Sequence, residues 1–161
     1  MPTAFARSTS ATPDVLATAL GTVRICDFTG QLAGAGATKW LAAFGAEVIR
    51  IEDPTNQGTW DVLRAMPPFV DERRGPDFGG GFNNHNVEKR GITLYLLTER
   101  RRELLAEIVT RSDVVAENFA AGVLEKWGFG WERLRTLKPD VIYVSNCGFG
   151  HTGPYARFKT W

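Results

Sequence analysis

Apolar and polar positions along the chain follow two periods in turn. Val23, Ile25 and Phe28 belong to a short apolar run that stops at the turn formers Gly30 and Gly34, which predicts a strand. From Gly34 to Gly45 the chain is rich in alanine, with Trp40, Leu41 and Phe44 at helical spacing. Gly45 stands where a helix favours a left-handed C-terminal residue. Glu47–Glu52 (EVIRIE) predicts a second strand. Strand, helix and strand within about 30 residues make a unit the size of a right-handed βαβ crossover.

Regular patterning resumes at Gly91–Leu96 (GITLYL), read as a strand. Thr98 then caps a helix running to Arg111, with Leu104, Leu105, Ile108 and Val109 as its apolar stripe. Asp113–Glu117 predicts a strand, Gly122–Trp127 and Trp131–Leu137 two short helices, and Val141–Cys147 a strand of continuous apolar character. Strands alternating with helices specify an α/β fold, a Rossmann-like parallel sheet flanked by helices. The last strand leads only into a turn-rich tail, so the fold reads as truncated. Residues 1–12 read as a flexible tail and 13–161 as one domain, opening with a short helix from Pro13 to about Leu20.

Between these halves lies Pro54–Lys89, rich in glycine and proline yet carrying Trp60, Phe69, Phe78 and Phe82. One short helix fits at Thr59–Met66. Structureless loops of this length are uncommon and usually functional, and these aromatics point to packing over a ligand or a partner subunit.

Composition narrows the class. The formal net charge of +1 gives no basic excess for neutralising nucleic acid. The two cysteines, Cys26 and Cys147, fall in predicted strands, which argues against a disulfide framework and for a cytoplasmic protein. His85 and His151 have no cysteine or histidine at metal-ligand spacing. No apolar run is long enough to span a membrane.

Four clusters carry candidate chemistry. Gly30-x-x-x-Gly34-x-Gly36 before a helix offers backbone N–H groups to an anion, but lacks the Lys of a phosphate loop and has Lys39 at the third glycine of a dinucleotide fingerprint. Its bland reading is close helix–sheet packing. Glu52 and Asp53 end the second strand, where dinucleotide enzymes keep a ribose-binding acid. Lys89-Arg90 can neutralise phosphate or simply face solvent. Asn118-Phe119, at the carboxyl end of a strand, can read and stack on a nucleotide or serve as a cap and a core aromatic. In GFGHTGPY, His151 is a lone loop histidine, which is more often just exposed.

Together the segments VRICDFTGQLAG–GATKWLAAFGAEVIRIED, NVEKRGITLYL and SDVVAENFAAGVLEKWGFGWERLRTLKPDVIYVSNCGFGHTGPY resemble class III CoA transferases, the family of formyl-CoA transferase, the carnitine-CoA transferases and α-methylacyl-CoA racemase. The resemblance covers about Thr22 to Tyr155. It implies the N-terminal part of a CoA-binding large domain, acyl-CoA and a carboxylic acid as substrates, no covalently bound cofactor, and an interlocked homodimer. The residues matching the family's CoA contacts are Leu32, Ala33, Leu94, Asn118, Phe119 and Lys126, with Lys89-Arg90 matching its basic pair. Lys126 replaces a common Arg, Leu97 a frequent Lys, and Tyr95 a usual Asp or Asn. The resemblance also implies an aspartate nucleophile that forms an aspartyl-CoA thioester. That aspartate is expected beyond Trp161, as is the family's smaller second domain, so the chain alone is expected to be inactive. A non-catalytic nucleotide-binding or interaction module and an NAD(P)-binding Rossmann domain are the other classes open.

Overall fold

The computed structural model describes residues 18–56, 61–158 and 160. Five strands, β1 (Arg24–Asp27), β2 (Glu47–Glu52), β3 (Arg90–Thr93), β4 (Val114–Glu117) and β5 (Ile142–Ser145), form one sheet in the order β3-β2-β1-β4-β5. Every pairing is parallel. The order reverses between β1 and β4, so their carboxyl ends flank the crevice where open α/β sheets take ligands.

The two faces differ in what covers them. Helix α1 (Ala33–Ala43) joins β1 to β2 and packs its small residues, Gly34, Ala35, Thr38 and Ala42, inward. Its large residues face out: Trp40 is 61% and Phe44 58% exposed. The same apolar spacing that marks the helix in the sequence therefore lies mostly on its outer side. Close approach explains this, because a Cβ on Gly34 would sit 2.7 Å from Thr29 Cβ and 2.8 Å from Asn118 Cγ. Gly45 ends the helix region at φ 101°, the conformation the sequence assigns it.

Helices α3 (Glu99–Thr110), α4 (Val123–Lys126) and α5 (Trp131–Leu137) cover the other face. Leu105, Val109, Leu124 and Leu134 from these helices join Cys26, Val115 and Val141 in the main core. Each fully buried leucine there contributes about 1.5–3 kcal/mol relative to exposure. The smaller core on the α1 face is Ile25, Val48, Ala42, Ala46 and Ala116. Strand alternation thus divides Cys26 from Ile25 and Val115 from Ala116.

Several boundaries differ from expectation. The third strand ends at Thr93, and Leu94 and Leu96 turn into the core beyond it. The last strand is Ile142–Ser145, so Cys147 lies past its end. As an edge strand with only one face covered, it exposes Ile142 and Val144. In the long loop a short 3-10 turn covers Val62–Ala65 where a helix over Thr59–Met66 was expected, and residues 59–60 lie outside the described residues. A helix α2 (Gly80–His85) stands within the long loop expected over Pro54–Lys89. The tail over residues 1–12, and 13–17 of the opening helix, also lie outside the described residues. Among the described residues no helix is long and apolar enough to cross a membrane.

Candidate functional site

The turn between β1 and α1 is built from its backbone outward. Gln31 adopts φ 57°, unusual for a side chain with a Cβ, and two polar groups hold it there. Asn118, just past β4, accepts from Gly30 N–H at 2.8 Å and donates its amide to Gly30 O at 2.9 Å. Asp61 Oδ2 accepts from Gln31 N–H at 3.0 Å. The Gly30 and Gln31 N–H groups, two of those the glycine pattern offered to an anion, are therefore taken by the protein itself. The start of α1 differs: Leu32 is 61% exposed and no side chain caps the helix.

Beneath the turn lies a set of buried charges. Arg50, 1% exposed, donates to Asp61 Oδ2 at 2.8 Å, Thr29 O at 2.6 Å and Asn86 Oδ1 at 2.9 Å. Its Nε lies 3.3 Å from Glu52 Oε1 without forming a hydrogen bond. Glu52 instead takes a two-point contact from Arg64, at 2.6 and 2.9 Å, and Arg64 stacks 3.4 Å over the Phe82 ring. Beside them Lys89 Nζ reaches Thr38 Oγ1 at 2.7 Å, Ala35 O at 2.9 Å and Asp27 Oδ2 at 3.2 Å. Burial pulls the Lys89 ammonium down from its usual value, and the Asp27 charge resists that shift.

On the other side of Asn118, Glu117 is buried with two donors: Phe119 N–H at 2.6 Å and the Tyr143 hydroxyl at 3.0 Å. Burial, then the Glu117 charge, push the Tyr143 phenol up. Phe119 lies edge-on to Trp127, ring centroids 5.2 Å apart, and 6.4 Å from Phe28.

These buried acids set an alkaline limit. Burial and Asp27 also push the Cys26 thiol up. Cys26 and Tyr143 hold their protons in the fold more tightly than in the unfolded chain. The stability they add is complete below about pH 8.5 and is lost as pH climbs toward their raised values. Lys89 works in the opposite sense, adding stability as pH rises from its lowered value to about 10.4. The urea midpoint is expected to fall more between about pH 9 and about pH 10.5 in the native chain than in Cys26→Ala. Parallel pH curves for the two would remove Cys26 from this account.

The residues singled out in the sequence are distributed as follows. Leu32, Ala33, Asn118 and Phe119 gather at the carboxyl edge of β1 and β4. Leu94 sits at the same end of the sheet with its side chain in the core. Lys126 ends α4 and lines an open groove of 740 Å³ with Trp127, Arg100, Arg102 and Arg133. The basic pair separates. Lys89 has its side chain 1% exposed beneath the turn, while Arg90 is 77% exposed and pairs with Glu47. Adjacent residues entering a strand point to opposite faces, so one cation is buried and the other is not.

Sequence reasoning passed over Arg50, Asp61 and Tyr143, and placed Glu52 where dinucleotide enzymes keep a ribose-binding acid. One signal for Arg50 was available: an arginine at an inward position of a strand buried on both faces needs a buried acceptor. What the arrangement offers is a rigid, protein-filled floor, an exposed helix start and an Asn–Phe pair at the switch point of the sheet.

A family model described as CoA-transferase family III matches residues 20–161. The formyl-CoA:oxalate CoA-transferase of Streptomyces avermitilis is 41% identical over 143 residues, covering 89% of this chain and 33% of the relative. The succinyl-CoA:mesaconate CoA-transferase of Haloarcula marismortui is 43% identical over 132 residues, 82% of this chain and 32% of the relative. Among solved structures, a CAIB/BAIF family protein from Brucella suis superposes with TM-score 0.75 at 38% identity, covering 88% of this chain and 36% of that one. Rv3272 from Mycobacterium tuberculosis gives TM-score 0.77 at 32% identity, covering 88% and 38%. The chain thus spans about a third of the length of the curated relatives it matches.

Proposed function

The chain belongs to CoA-transferase family III, and on that premise we propose that it forms part of an acyl-CoA site in a protein that moves CoA between carboxylic acids. The supporting observation is the two-point latch of Asn118 on Gly30. It fixes the start of α1, with Leu32 and Ala33 exposed, beside Phe119 at the switch point of the sheet. Leu94 contributes through its main chain, and Lys126 and Arg90 offer charge to the CoA phosphates. Lys89 acts from below, through the turn it supports.

In the complete reaction an aspartate carboxylate attacks the donor thioester carbonyl and CoA leaves as the thiolate, giving a mixed anhydride. The thiolate then attacks the aspartyl carbonyl, releasing the donor acid and leaving an aspartyl-CoA thioester. The acceptor acid repeats the exchange in reverse order. By family spacing that aspartate belongs beyond Trp161, so this chain binds without turning over. The exposed Trp40 and Phe44 on α1 support a homodimer. An NAD-binding role fits less well, because Glu52, at the position of a ribose acid, is buried against Arg64 and Arg50.

Calorimetric titration of the purified chain with CoA, NAD and ATP tests the reading. CoA is expected to bind in preference, with no acyl-CoA exchange detectable. Preference for NAD sinks the site assignment, turnover refutes the placement of the nucleophile, and a strictly monomeric sedimentation profile counts against the homodimer.

A further inference from the structure

One residue of the long loop reaches the first turn, and the acyl-CoA reading gives it no part. Asp61, 1% exposed, turns its carboxylate inward onto three donors. Oδ1 accepts from Leu63 N–H at 3.0 Å, which caps the 3-10 turn Val62–Ala65. Oδ2 accepts from Arg50 Nη2 at 2.8 Å and from Gln31 N–H at 3.0 Å. Arg50 and the buried Leu63 thus fix where Asp61 points, and Gln31 receives that placement.

Gln31 is the residue that needs it. Its φ of 57° lies in the left-handed region, where a Cβ crowds the following carbonyl. The peptide between Gly30 and Gln31 is held at both ends. The Asn118 amide donates to its oxygen at 2.9 Å, and Asp61 accepts from its N–H at 3.0 Å. Once that plane is fixed, the φ of Gln31 decides the direction in which the chain leaves for Leu32 and Ala33, the exposed start of α1.

We propose that Asp61 is a positioning residue of the acyl-CoA site: its carboxylate holds Gln31 left-handed and so aims the start of α1 at the ligand. Being buried, Asp61 touches no ligand itself. The proposal rests on the acyl-CoA reading. It gives the long loop a task at the site, performed by a residue 30 positions from the one it holds.

The test separates aim from stability by counting acceptors. Asp61→Ala removes both. Asp61→Asn keeps one oxygen and brings in an NH2 group, which must face either Leu63 N–H or the donors of Gln31 and Arg50 together. Facing Leu63 opposes the fewer donors, so the oxygen stays at Gln31. Both variants are expected to lose stability to urea. Only Asp61→Ala is expected to lose CoA affinity, about tenfold by calorimetric titration, with Asp61→Asn within about twofold of the native chain. A loss in Asp61→Asn as large as in Asp61→Ala would show that affinity merely follows stability, and no loss in either would show that the turn needs no holder. Each result overturns the proposal.

Two substitutions at Gln31 put the same question with Asp61 and Arg50 left paired, and so hold even where Asp61→Ala does not fold. Gln31→Gly and Gln31→Pro both remove the side chain, but glycine adopts a φ of 57° freely and proline cannot. CoA affinity is expected to stay within about threefold for glycine and to fall about tenfold for proline, and equal affinities overturn the proposal. A ligand-free reading is the intraresidue amide–Hα Overhauser effect of Gln31, which is strong at positive φ. It is expected in the native chain and in Asp61→Asn and lost in Asp61→Ala, and its persistence in Asp61→Ala overturns the proposal while leaving the acyl-CoA reading standing. No CoA binding by the native chain overturns both.

Discussion

Replacing Arg50 with methionine is expected to remove about 3–5 kcal/mol of stability, the cost of breaking a buried ion pair by deleting one partner. Asp61, fully enclosed at 1% exposure, would lose its cation, and Thr29 O would lose a donor at 2.6 Å. A domain with about 5–15 kcal/mol to spare would stand near its unfolding threshold. The effect should also reach the turn, since Asp61 is the acceptor for Gln31 N–H. Arg50→Lys should do little better, because a single ammonium cannot meet Asp61, Thr29 and Asn86 from one planar fork. Urea denaturation reads the loss. A drop below about 1 kcal/mol for Arg50→Met would mean that the pair is solvated rather than buried.

Lys89→Met is the second large effect, about 3 kcal/mol, toward the lower end for a broken buried pair. The reason it is smaller lies in Asp27, which keeps other donors when Lys89 goes. Thr29 N–H and Thr29 Oγ1 both donate to its Oδ1, at 2.9 and 2.6 Å, and Thr38 Oγ1 donates to Oδ2 at 2.9 Å. What is lost is the countercharge. Converting Asp27 to asparagine in the same chain should therefore recover much of the loss, because the remaining carboxamide needs no cation. A double-mutant cycle over Lys89 and Asp27 measures this coupling, and strict additivity would show that the two are not a pair.

Both effects come from residues whose importance the chain hides. Lys89 and Arg90 read alike in sequence, as a basic pair beside a glycine. In the structure one neutralises an aspartate under the first turn and the other lies on the surface against Glu47. Glu52 reads as a ribose acid and is bound between two arginines. Asp61 and Arg64 lie in Thr59–Met66, which the sequence reads as one short helix within the long loop, and they close over β2 to complete the charge network.

The order and type of nearly all the elements, the parallel character of the sheet and the family are legible in the linear chain. Those depend on local periodicity, on turn residues such as Gly45 and on short motifs such as AENFAAG, all of which act over a few neighbours. Tertiary structure alone decided which side of α1 faces the sheet, which cation is buried, and what fills the glycine turn. Each of these depends on groups 11 to 88 positions apart, such as Arg50 with Asp61 and Gly30 with Asn118. A buried charge or an N–H must find its partner in space, and the linear pattern records the need without naming who meets it.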